Sequence, residues 1–340
     1  MKKKFLCLLL GIVLCLSFVL PLYAIDGTII ADDNAELVTP TLEVTTTPTD
    51  AAAVAHNLST NQTYYYHVNG NVLPTSAGGS ISEPGSSTEA VSPDAIIGTD
   101  DRLIVRPNKM TTNPYYAIAY LEINFPNGIG SGTATMISPN AALTAAHVLY
   151  DSEKGGWATS IKVSPAIYGS EFFPTRPYGY SMATELVISV PYYETQNSSY
   201  CDWGVIRLSD NIATSNFLGF QYISLNASYE VNQVAITISG YPYDLNNELA
   251  TINQYRDTNF IDIDQSNTTT CSNNTVYDNR IFYYIVDATG GQSGSPLLHY
   301  NNGTYQIIGV HSRGNSSSNK GFGLTYQVFN FLVAYKYNSQ

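Results

Sequence analysis

The 340-residue sequence predicts an all-β fold. From residue 96 onward, short runs of β-branched and aromatic residues recur, and turn residues separate them, as is typical of antiparallel strands. Only one stretch, Gln327 to Tyr337, looks helical. Many short strands at this spacing favour a β-barrel or a β-sandwich, and the length leaves room for one or two domains.

The predicted strands share a high content of Ile, Val and Tyr, residues that favour extended backbone. They lie at residues 116–123, 204–208, 234–239, 281–286 and 305–310. Turns rich in Pro, Asn and Gly lie between them at residues 125–128, 138–140, 240–242 and 301–304. No internal repeat is visible, so we expect one or two β subdomains of about 120 residues each and not a repeat array.

The charge pattern divides the chain near residue 95. The sequence has 15 basic and 27 acidic residues, a formal net charge of -12, which argues against the basic surface of a nucleic-acid-binding protein. Residues 5–101 contain no Lys or Arg, whereas nine acidic residues lie between positions 24 and 96. The two sides of residue 95 therefore have different compositions.

The N-terminus has the pattern of a secretory signal peptide. Three lysines at positions 2–4 precede an apolar run at 5–20, and Ala24 is a small residue suited to cleavage. A membrane anchor is the alternative, because the run approaches the length that spans a bilayer. We predict a signal peptide at residues 1–24 and a secreted protein that leaves the membrane once the signal is removed.

Residues 25–95 form an acidic tract rich in Thr, Ser, Ala, Pro and Gly. Such a composition buries too little apolar surface to offset the entropy of ordering. We therefore interpret this tract as a low-complexity pro-segment or linker, which leaves residues 96–340 as the main domain.

Two cysteines, Cys201 and Cys271, remain after the signal peptide. A disulfide between them is possible outside the cell, but the sequence does not decide whether it forms. Two thiols without a His-x-x-x-His pattern do not predict a zinc site, so we expect neither a metal nor a cofactor.

Three separated motifs supply the groups of a hydrolase. His147 ends a Thr-Ala-Ala-His run, Asp202 opens an apolar strand, and Ser293 lies between glycines. Singly, they fit a core histidine, a capping carboxylate and a loop serine. Together they offer a base, an orienting acid and a nucleophile, and the glycines allow a turn whose N–H groups point at one oxyanion.

These motifs give the sequence a family resemblance. The residues that carry it are Ile96–Arg102, Thr144–His147, Asp202–Trp203 and Gly291–Pro296. Through these residues the sequence resembles the chymotrypsin-like serine peptidases, and within them the bacterial glutamyl endopeptidases. The resemblance extends from residue 96 to residue 336.

The resemblance implies two packed six-stranded antiparallel β-barrels with the active site between them and a short C-terminal helix. We expect the first barrel at about residues 96–215 and the second at about 216–340. It also implies that His147 and Asp202 come from the first barrel and that Ser293 comes from the second. These three residues would form the catalytic triad.

The resemblance also implies an oxyanion hole and a mode of activation. The N–H groups of Gly291 and Ser293 would bind the oxyanion. Gln292 replaces the aspartate through which digestive enzymes pair with a new amino terminus, so that ion pair is unavailable. In the glutamyl branch the mature terminus instead helps to build the specificity pocket. We therefore expect an activating protease to remove the acidic segment by a cut somewhere between Glu89 and Ile97.

The residues of the predicted P1 pocket give conflicting indications of substrate specificity. His311 matches the histidine that binds the P1 carboxylate in glutamyl endopeptidases, but Ala288 replaces a hydroxyl-bearing residue of that branch. Asp287 stands where trypsin-like enzymes carry the carboxylate that selects Lys or Arg. Either Asp287 turns away from the pocket or the substrate is basic, and we favour an acidic P1 residue.

The resulting prediction is a secreted, monomeric serine endopeptidase that acts on proteins or peptides. The alternatives are a preference for Lys or Arg through Asp287, an inactive homologue that binds a partner, and an adhesive domain on an acidic stalk. For His299 and Arg313 we predict no role beyond a satisfied strand or loop position.

Overall fold

The computed structural model describes residues 29–31, 40–70, 94–195, 199–223, 234–248, 251–272 and 275–337. The predicted signal peptide lies outside these residues. Within them, no helix is both long enough and apolar enough to cross a bilayer.

Most of the described chain is extended. The strands are β1 (Ile29–Ala31), β2 (Thr41–Thr45), β3 (Ala53–Asn57), β4 (Gln62–Asn69), β5 (Leu103–Ile104), β6 (Ile118–Phe125), β7 (Gly128–Ser138), β8 (Ala141–Thr144), β9 (Tyr150–Asp151), β10 (Gly156–Trp157), β11 (Ser160–Pro165), β12 (Tyr168–Gly169), β13 (Pro174–Thr175), β14 (Ser181–Ser189), β15 (Gly204–Leu208), β16 (Gly219–Ile223), β17 (Ala235–Gly240), β18 (Tyr255–Thr270), β19 (Val276–Tyr284), β20 (Pro296–Asn301), β21 (Thr304–Gly314) and β22 (Asn319–Gly323). The helices are α1 (Ala146–Leu149), α2 (Val190–Thr195), α3 (Tyr243–Glu248) and α4 (Tyr326–Tyr337), with 3₁₀ turns at Pro107–Lys109, Tyr115–Ala117 and Ser199–Cys201.

The first barrel is a closed ring of six antiparallel strands. Its order is β11-β6-β7-β8-β15-β14, and pairing between β11 and β14 closes the ring. Apolar side chains from these strands fill the interior, among them Leu121, Met136, Leu143, Ile161 and Leu186. The six-stranded barrel predicted for this half of the domain is confirmed.

The second barrel is also a ring of six strands. Its order is β21-β20-β17-β18-β19-β22, and pairing between β21 and β22 closes it. Its buried core includes Ile236, Ile238, Ile261, Phe282 and Leu297. Both barrels of the predicted fold are therefore present.

One boundary of the sequence prediction is corrected. Residues 96–105, which we grouped with the first barrel, contact the second one, because β5 pairs with β18. The N–H group of Ile97 also donates to the side chain of Asp287, next to the second barrel. Side-chain acceptors of the second barrel thus satisfy the backbone of this segment.

The acidic tract contains folded structure that its composition did not predict. Strands β2, β3 and β4 extend the sheet of the first barrel, and β3 pairs with β14 over five residues. Ala53, Val54 and Ala55 of β3 are completely buried. The expectation that this tract cannot order is wrong for residues 41–69, because a few small apolar residues suffice when an exposed strand edge is available for pairing.

A buried carboxylate ties this added sheet to the rest of the molecule. The Tyr66 hydroxyl donates to Glu185 Oε2 at 2.9 Å, and the Tyr64 hydroxyl also donates to that oxygen. Tyr335 of α4 donates to Glu185 Oε1 at 2.6 Å. Burial, together with the nearby carboxylate, raises the pKa of Tyr66, so its phenol stays protonated as a donor. The acidic tract, β14 and α4 therefore share one hydrogen-bonded cluster.

Replacing Val54 with Ala is expected to lower the free energy of unfolding of the full chain by about 2 kcal/mol, because two buried methyl groups are lost. Chemical denaturation of a Ser293→Ala background, which should not process itself, measures this. Val44→Ala is the matched control, since Val44 lies in the same tract and is 61% exposed. Equal effects of the two substitutions would contradict the conclusion that β3 is buried as part of the sheet of the first barrel.

Helix α4 confirms the predicted C-terminal helix to within one residue at its start. The sequence pattern missed the short helices α1, α2 and α3, each of six residues or fewer, because they span too few turns to show a helical period. Cys201 and Cys271 are both buried and are not joined by a disulfide, and burial raises the pKa of Cys271 to about 12. The disulfide that the sequence left open is not formed.

Candidate active site

One carboxylate fixes both the backbone and the ring of His147. The small, buried residues Ala145 and Ala146 lead from β8 into α1, where His147 is the second residue. The His147 N–H donates to Asp202 Oδ1 at 3.0 Å, and His147 Nδ1 lies 2.7 Å from Asp202 Oδ2. The structure thus brings the predicted residues His147 and Asp202 together, and Asp202 fixes the imidazole ring through Nδ1.

Asp202 is fully buried immediately before β15. Burial alone would raise its pKa, but the facing His147, together with Arg313 and Ser312, outweighs this effect and holds the pKa of Asp202 below its usual range. The hydroxyl of Ser312 donates to Asp202 Oδ2 and acts in the same direction. The sequence analysis missed Ser312, although a hydroxyl beside His311 in an apolar strand was a usable signal.

The loop that carries Ser293 depends on its glycines. Gly291 and Gly294 have φ angles of +94° and +86°, in the left-handed region that favours glycine. A Cβ atom on Gly291 would lie 2.5 Å from the carbonyl oxygen of Tyr241, and one on Gly294 would lie 2.1 Å from that of Thr133. Any other residue at either position would force the loop out of place.

The Ser293 loop lies directly against the chain that leads to His147. The carbonyl oxygen of Ser293 accepts the Thr133 N–H at 2.9 Å. A Cβ atom on Gly294 would lie 2.1 Å from Thr144 Oγ1 and 3.2 Å from the Ala145 nitrogen. These contacts bring the serine of the second barrel to the start of α1 in the first.

A strand of the second barrel makes a further link between the two parts of the site. The N–H of Gly294 donates to the carbonyl oxygen of His311 at 2.9 Å, and the His311 N–H donates to that of Ser295 at 2.8 Å. The next residue, Ser312, contacts Asp202. Strand β21 therefore fixes the serine loop relative to the Asp202–His147 pair.

The backbone of this loop leaves two N–H groups available. The amides of Gln292, Gly294 and Ser295 each donate to a carbonyl oxygen. Within the described part of the chain, no acceptor takes the N–H of Gly291 or of Ser293. Amides without an acceptor in the protein can bind a developing oxyanion when they point to the same place.

Gln292 is held by an arginine that the sequence analysis did not single out. Arg102 Nη1 donates to Gln292 Oε1 at 3.2 Å and to Thr289 Oγ1 at 2.6 Å. Its guanidinium also pairs with Asp100 and Asp244, at 2.8 and 2.7 Å. The segment before the first barrel therefore supports the serine loop through one buried cation.

His311 lies fully buried behind the serine loop. Its Nδ1 is 2.7 Å from the hydroxyl of Tyr284, and its Nε2 is 3.2 Å from Asp94 Oδ1. Ala288 is also fully buried, and its N–H reaches the carbonyl oxygen of Ala95 at 3.4 Å. Neither Tyr284 nor Asp94 was predicted as a contact of His311.

The carboxylate of Asp287 is directed at the segment before the first barrel. Asp287 Oδ1 accepts the N–H of Ile97 at 2.7 Å, and Oδ2 accepts that of Asp101 at 2.9 Å. Only 2% of the residue is exposed. Both carboxylate oxygens therefore bind backbone amides.

The two residues without a predicted role have local partners. His299 Nδ1 lies 3.0 Å from the carbonyl oxygen of Ala235. Arg313 donates to the Tyr192 hydroxyl at 3.4 Å, and its charge contributes to the lowered pKa of Asp202.

A double β-barrel with this arrangement between its halves is the architecture of a serine endopeptidase. The family model described as Trypsin matches residues 110–334. The glutamyl endopeptidase of Bacillus licheniformis is 30% identical over 278 residues, which cover 77% of this chain and 78% of that protein. The extracellular metalloprotease of Bacillus subtilis is 30% identical over 256 residues, 74% of this chain and 73% of that protein. The chain belongs to the trypsin family.

A solved structure agrees with this assignment. The structure of a Glu endopeptidase in complex with MPD superposes with a TM-score of 0.55 at 28% sequence identity. The match covers 72% of this chain and 100% of that one. The predicted resemblance to serine endopeptidases, including glutamyl endopeptidases, is confirmed.

Proposed function

We propose that this chain is a secreted endopeptidase, made as a precursor, that cleaves peptide bonds after Glu or Asp. The acidic preference is supported chiefly by the surroundings of His311, whose buried imidazole already has a carboxylate 3.2 Å from Nε2. Asp287 does not compete for this role, because both of its oxygens accept backbone N–H groups. The B. licheniformis relative is itself named a glutamyl endopeptidase.

In the proposed mechanism, Ser293 Oγ attacks the carbonyl carbon of the peptide bond. His147 takes its proton through Nε2, since Nδ1 is occupied by Asp202. Asp202 stays ionised and stabilises the imidazolium. The N–H groups of Gly291 and Ser293 bind the oxyanion, and water then hydrolyses the acyl-enzyme.

Tyr284 orients His311, the residue that we propose to bind the P1 carboxylate of the substrate. Burial, together with the charge of Asp94, raises the pKa of Tyr284 well above its usual value, so the hydroxyl keeps its proton. Donation from this hydroxyl to His311 Nδ1 places the ring hydrogen on Nε2. His311 can then donate a hydrogen bond to a substrate carboxylate without first becoming charged.

The name of the B. subtilis relative suggests a metalloprotease, but the described residues give no support for that function here. Among them, no group of three or more His, Cys, Asp and Glu side chains is placed to hold a metal ion.

The proposal also includes three further points. The acidic tract is a pro-segment, an activating protease removes it, and the enzyme is a monomer.

The test is to digest a mixed peptide library with the processed enzyme and to read the P1 residue by mass spectrometry. We expect cuts after Glu and Asp. The variant His311→Ala should lose about 10- to 100-fold in kcat/KM on these sites, because a hydrogen bond to a charged group is lost. His299→Ala is the matched control and should retain activity. Cuts after Lys or Arg would assign the pocket to Asp287, and no cuts at all would favour the inactive homologue.

A further inference from the structure

The proposed P1 pocket already contains a carboxylate from its own chain. Asp94 Oδ1 lies 3.2 Å from His311 Nε2, and the two side chains are 5% and 0% exposed. Although the two atoms lie close together, Nε2 has no aligned hydrogen-bond partner among the described residues. The group that we propose to recognise substrate therefore faces Asp94 and retains its hydrogen-bonding capacity.

The chain directly after Asp94 is anchored to the wall of the pocket. The Ala95 N–H donates to Asn319 Oδ1 at 3.0 Å, and Asn319 Nδ2 donates back to the Ala95 carbonyl oxygen at 2.6 Å. The same carbonyl oxygen accepts the N–H of Ala288, and Ile97 is bound by Asp287. Asp94 enters the pocket as a side chain, whereas Ala95 is held by its backbone.

We propose that Asp94 is a built-in ligand that closes the P1 pocket of the precursor, and that Asp94–Ala95 is the bond whose hydrolysis opens it. The inference rests on the acidic preference proposed above. A substrate Glu cannot share this buried site with Asp94, because two carboxylates at one site strongly disfavour joint ionisation.

The anchoring pattern determines where the cut must fall. A cut before Asp94 leaves its carboxylate in the pocket. A cut after Ala95 releases the hydrogen bonds that Asn319 and Ala288 make to that residue. Only hydrolysis between Asp94 and Ala95 removes the carboxylate and keeps the anchored backbone in place.

The hydrolysis itself changes the charge beside His311. Water adds a hydroxyl group to the carbonyl carbon of Asp94 and a proton to the nitrogen of Ala95, and the bond between them breaks. The side-chain and new α-carboxylates of Asp94 are then no longer covalently tied to the pocket, and Ala95 gains an α-ammonium group. An anion next to His311 is thus replaced by a cation on the pocket wall, which favours an acidic P1 side chain.

The same bond fits the proposed specificity of the enzyme. Its P1 residue is Asp, the class of residue after which we propose that this enzyme cuts. A second, already active copy of the chain can therefore act as the activating protease once Asp94 leaves its pocket.

Closure of the pocket is tested by binding to the full chain after signal removal, in a Ser293→Ala background that should not process itself. Calorimetry would compare an N-acetylated tetrapeptide ending in Glu with one ending in Gln. We expect Asp94→Asn to bind the Glu peptide at least about tenfold more tightly than the parent, with the Gln peptide unaffected. Glu43→Gln removes an exposed acid from the same tract and should match the parent.

Two outcomes separate this inference from the proposed function. Equal affinity of the parent and Asp94→Asn for the Glu peptide, combined with library cuts after Glu by the processed enzyme, overturns only the role of Asp94. Library cuts after residues other than Glu and Asp reject the acidic preference itself, and with it the present inference.

The position of the cut is tested by adding a catalytic amount of processed wild-type enzyme to the same precursors and following their intact masses. We expect a product that begins at Ala95 from the parent and from Glu43→Gln, but not from Asp94→Asn. This product should bind the Glu peptide at least about tenfold more tightly than the uncut chain. A product with a different terminus that gains the same affinity would refute Asp94–Ala95 as the activating bond.

Discussion

Replacing Ser293 with Ala is expected to lower kcat of the processed enzyme on a peptide with Glu at P1 by about a million-fold. The hydroxyl is the proposed nucleophile, and its loop, between Gly291 and Gly294, lies against the residues that lead into α1. The activity that remains should reflect substrate binding and the oxyanion amides alone. Steady-state hydrolysis, together with the midpoint of chemical unfolding, measures the effect on catalysis separately from folding.

Ser295→Ala provides the matched control from the same loop. The Ser295 hydroxyl is buried, and it has no hydrogen-bond partner among the described residues, so its removal leaves no donor or acceptor newly unpaired. We expect this variant to keep kcat within a few-fold of the wild type. A comparable loss in both variants would mean that the loop tolerates no change, and full activity of Ser293→Ala would reject the proposed mechanism.

The β-rich architecture and the candidate residues His147 and Asp202 could be predicted because their signals are local, whereas the two barrels followed from the family resemblance. Alternating apolar runs mark the barrel strands, and the small residues before His147 allow the chain to turn into α1. The glycines around Ser293 are a local signal as well, since the left-handed backbone at Gly291 and Gly294 requires them.

The rest of the site depends on contacts between residues far apart in the chain. Nothing in the sequence distinguishes Asp94 from the other acids of its tract, yet it alone among the described ones contacts His311. The orientation of Asp287 is set by backbone amides of Ile97 and Asp101, which lie 190 and 186 residues earlier in the chain. The sequence therefore left two orientations of this carboxylate open.

The strands of the acidic tract were missed for a related reason. Mean composition suggested that the tract could not fold, but the burial of β3 depends on the edge of β14, which belongs to another part of the chain. Similarly, the hydroxyls of Tyr64 and Tyr66 become structural only because Glu185 is buried beside them. Composition describes what a segment can bury by itself and not what a neighbouring sheet can add.

Asp202→Asn is expected to reduce kcat by about ten thousand-fold while leaving substrate binding nearly unchanged. In the wild type, Asp202 Oδ1 accepts the backbone N–H of His147, and Oδ2 faces the ring at 2.7 Å. An asparagine that keeps the first contact presents its NH₂ group to Nδ1. The ring hydrogen then moves to Nε2, and His147 can no longer accept the proton of Ser293.

Asp210→Asn controls for the loss of a carboxylate, because Asp210 is an exposed acid that accepts hydrogen bonds from Ser181 and Ser209. It should keep kcat within a few-fold of the wild type. The pKa of Asp202 is held below its usual range, so this carboxyl stays ionised throughout the neutral range and the wild-type enzyme keeps an anion beside His147 there. A loss of less than tenfold in a folded Asp202→Asn enzyme would show that Asp202 anchors α1 without directing proton transfer at His147.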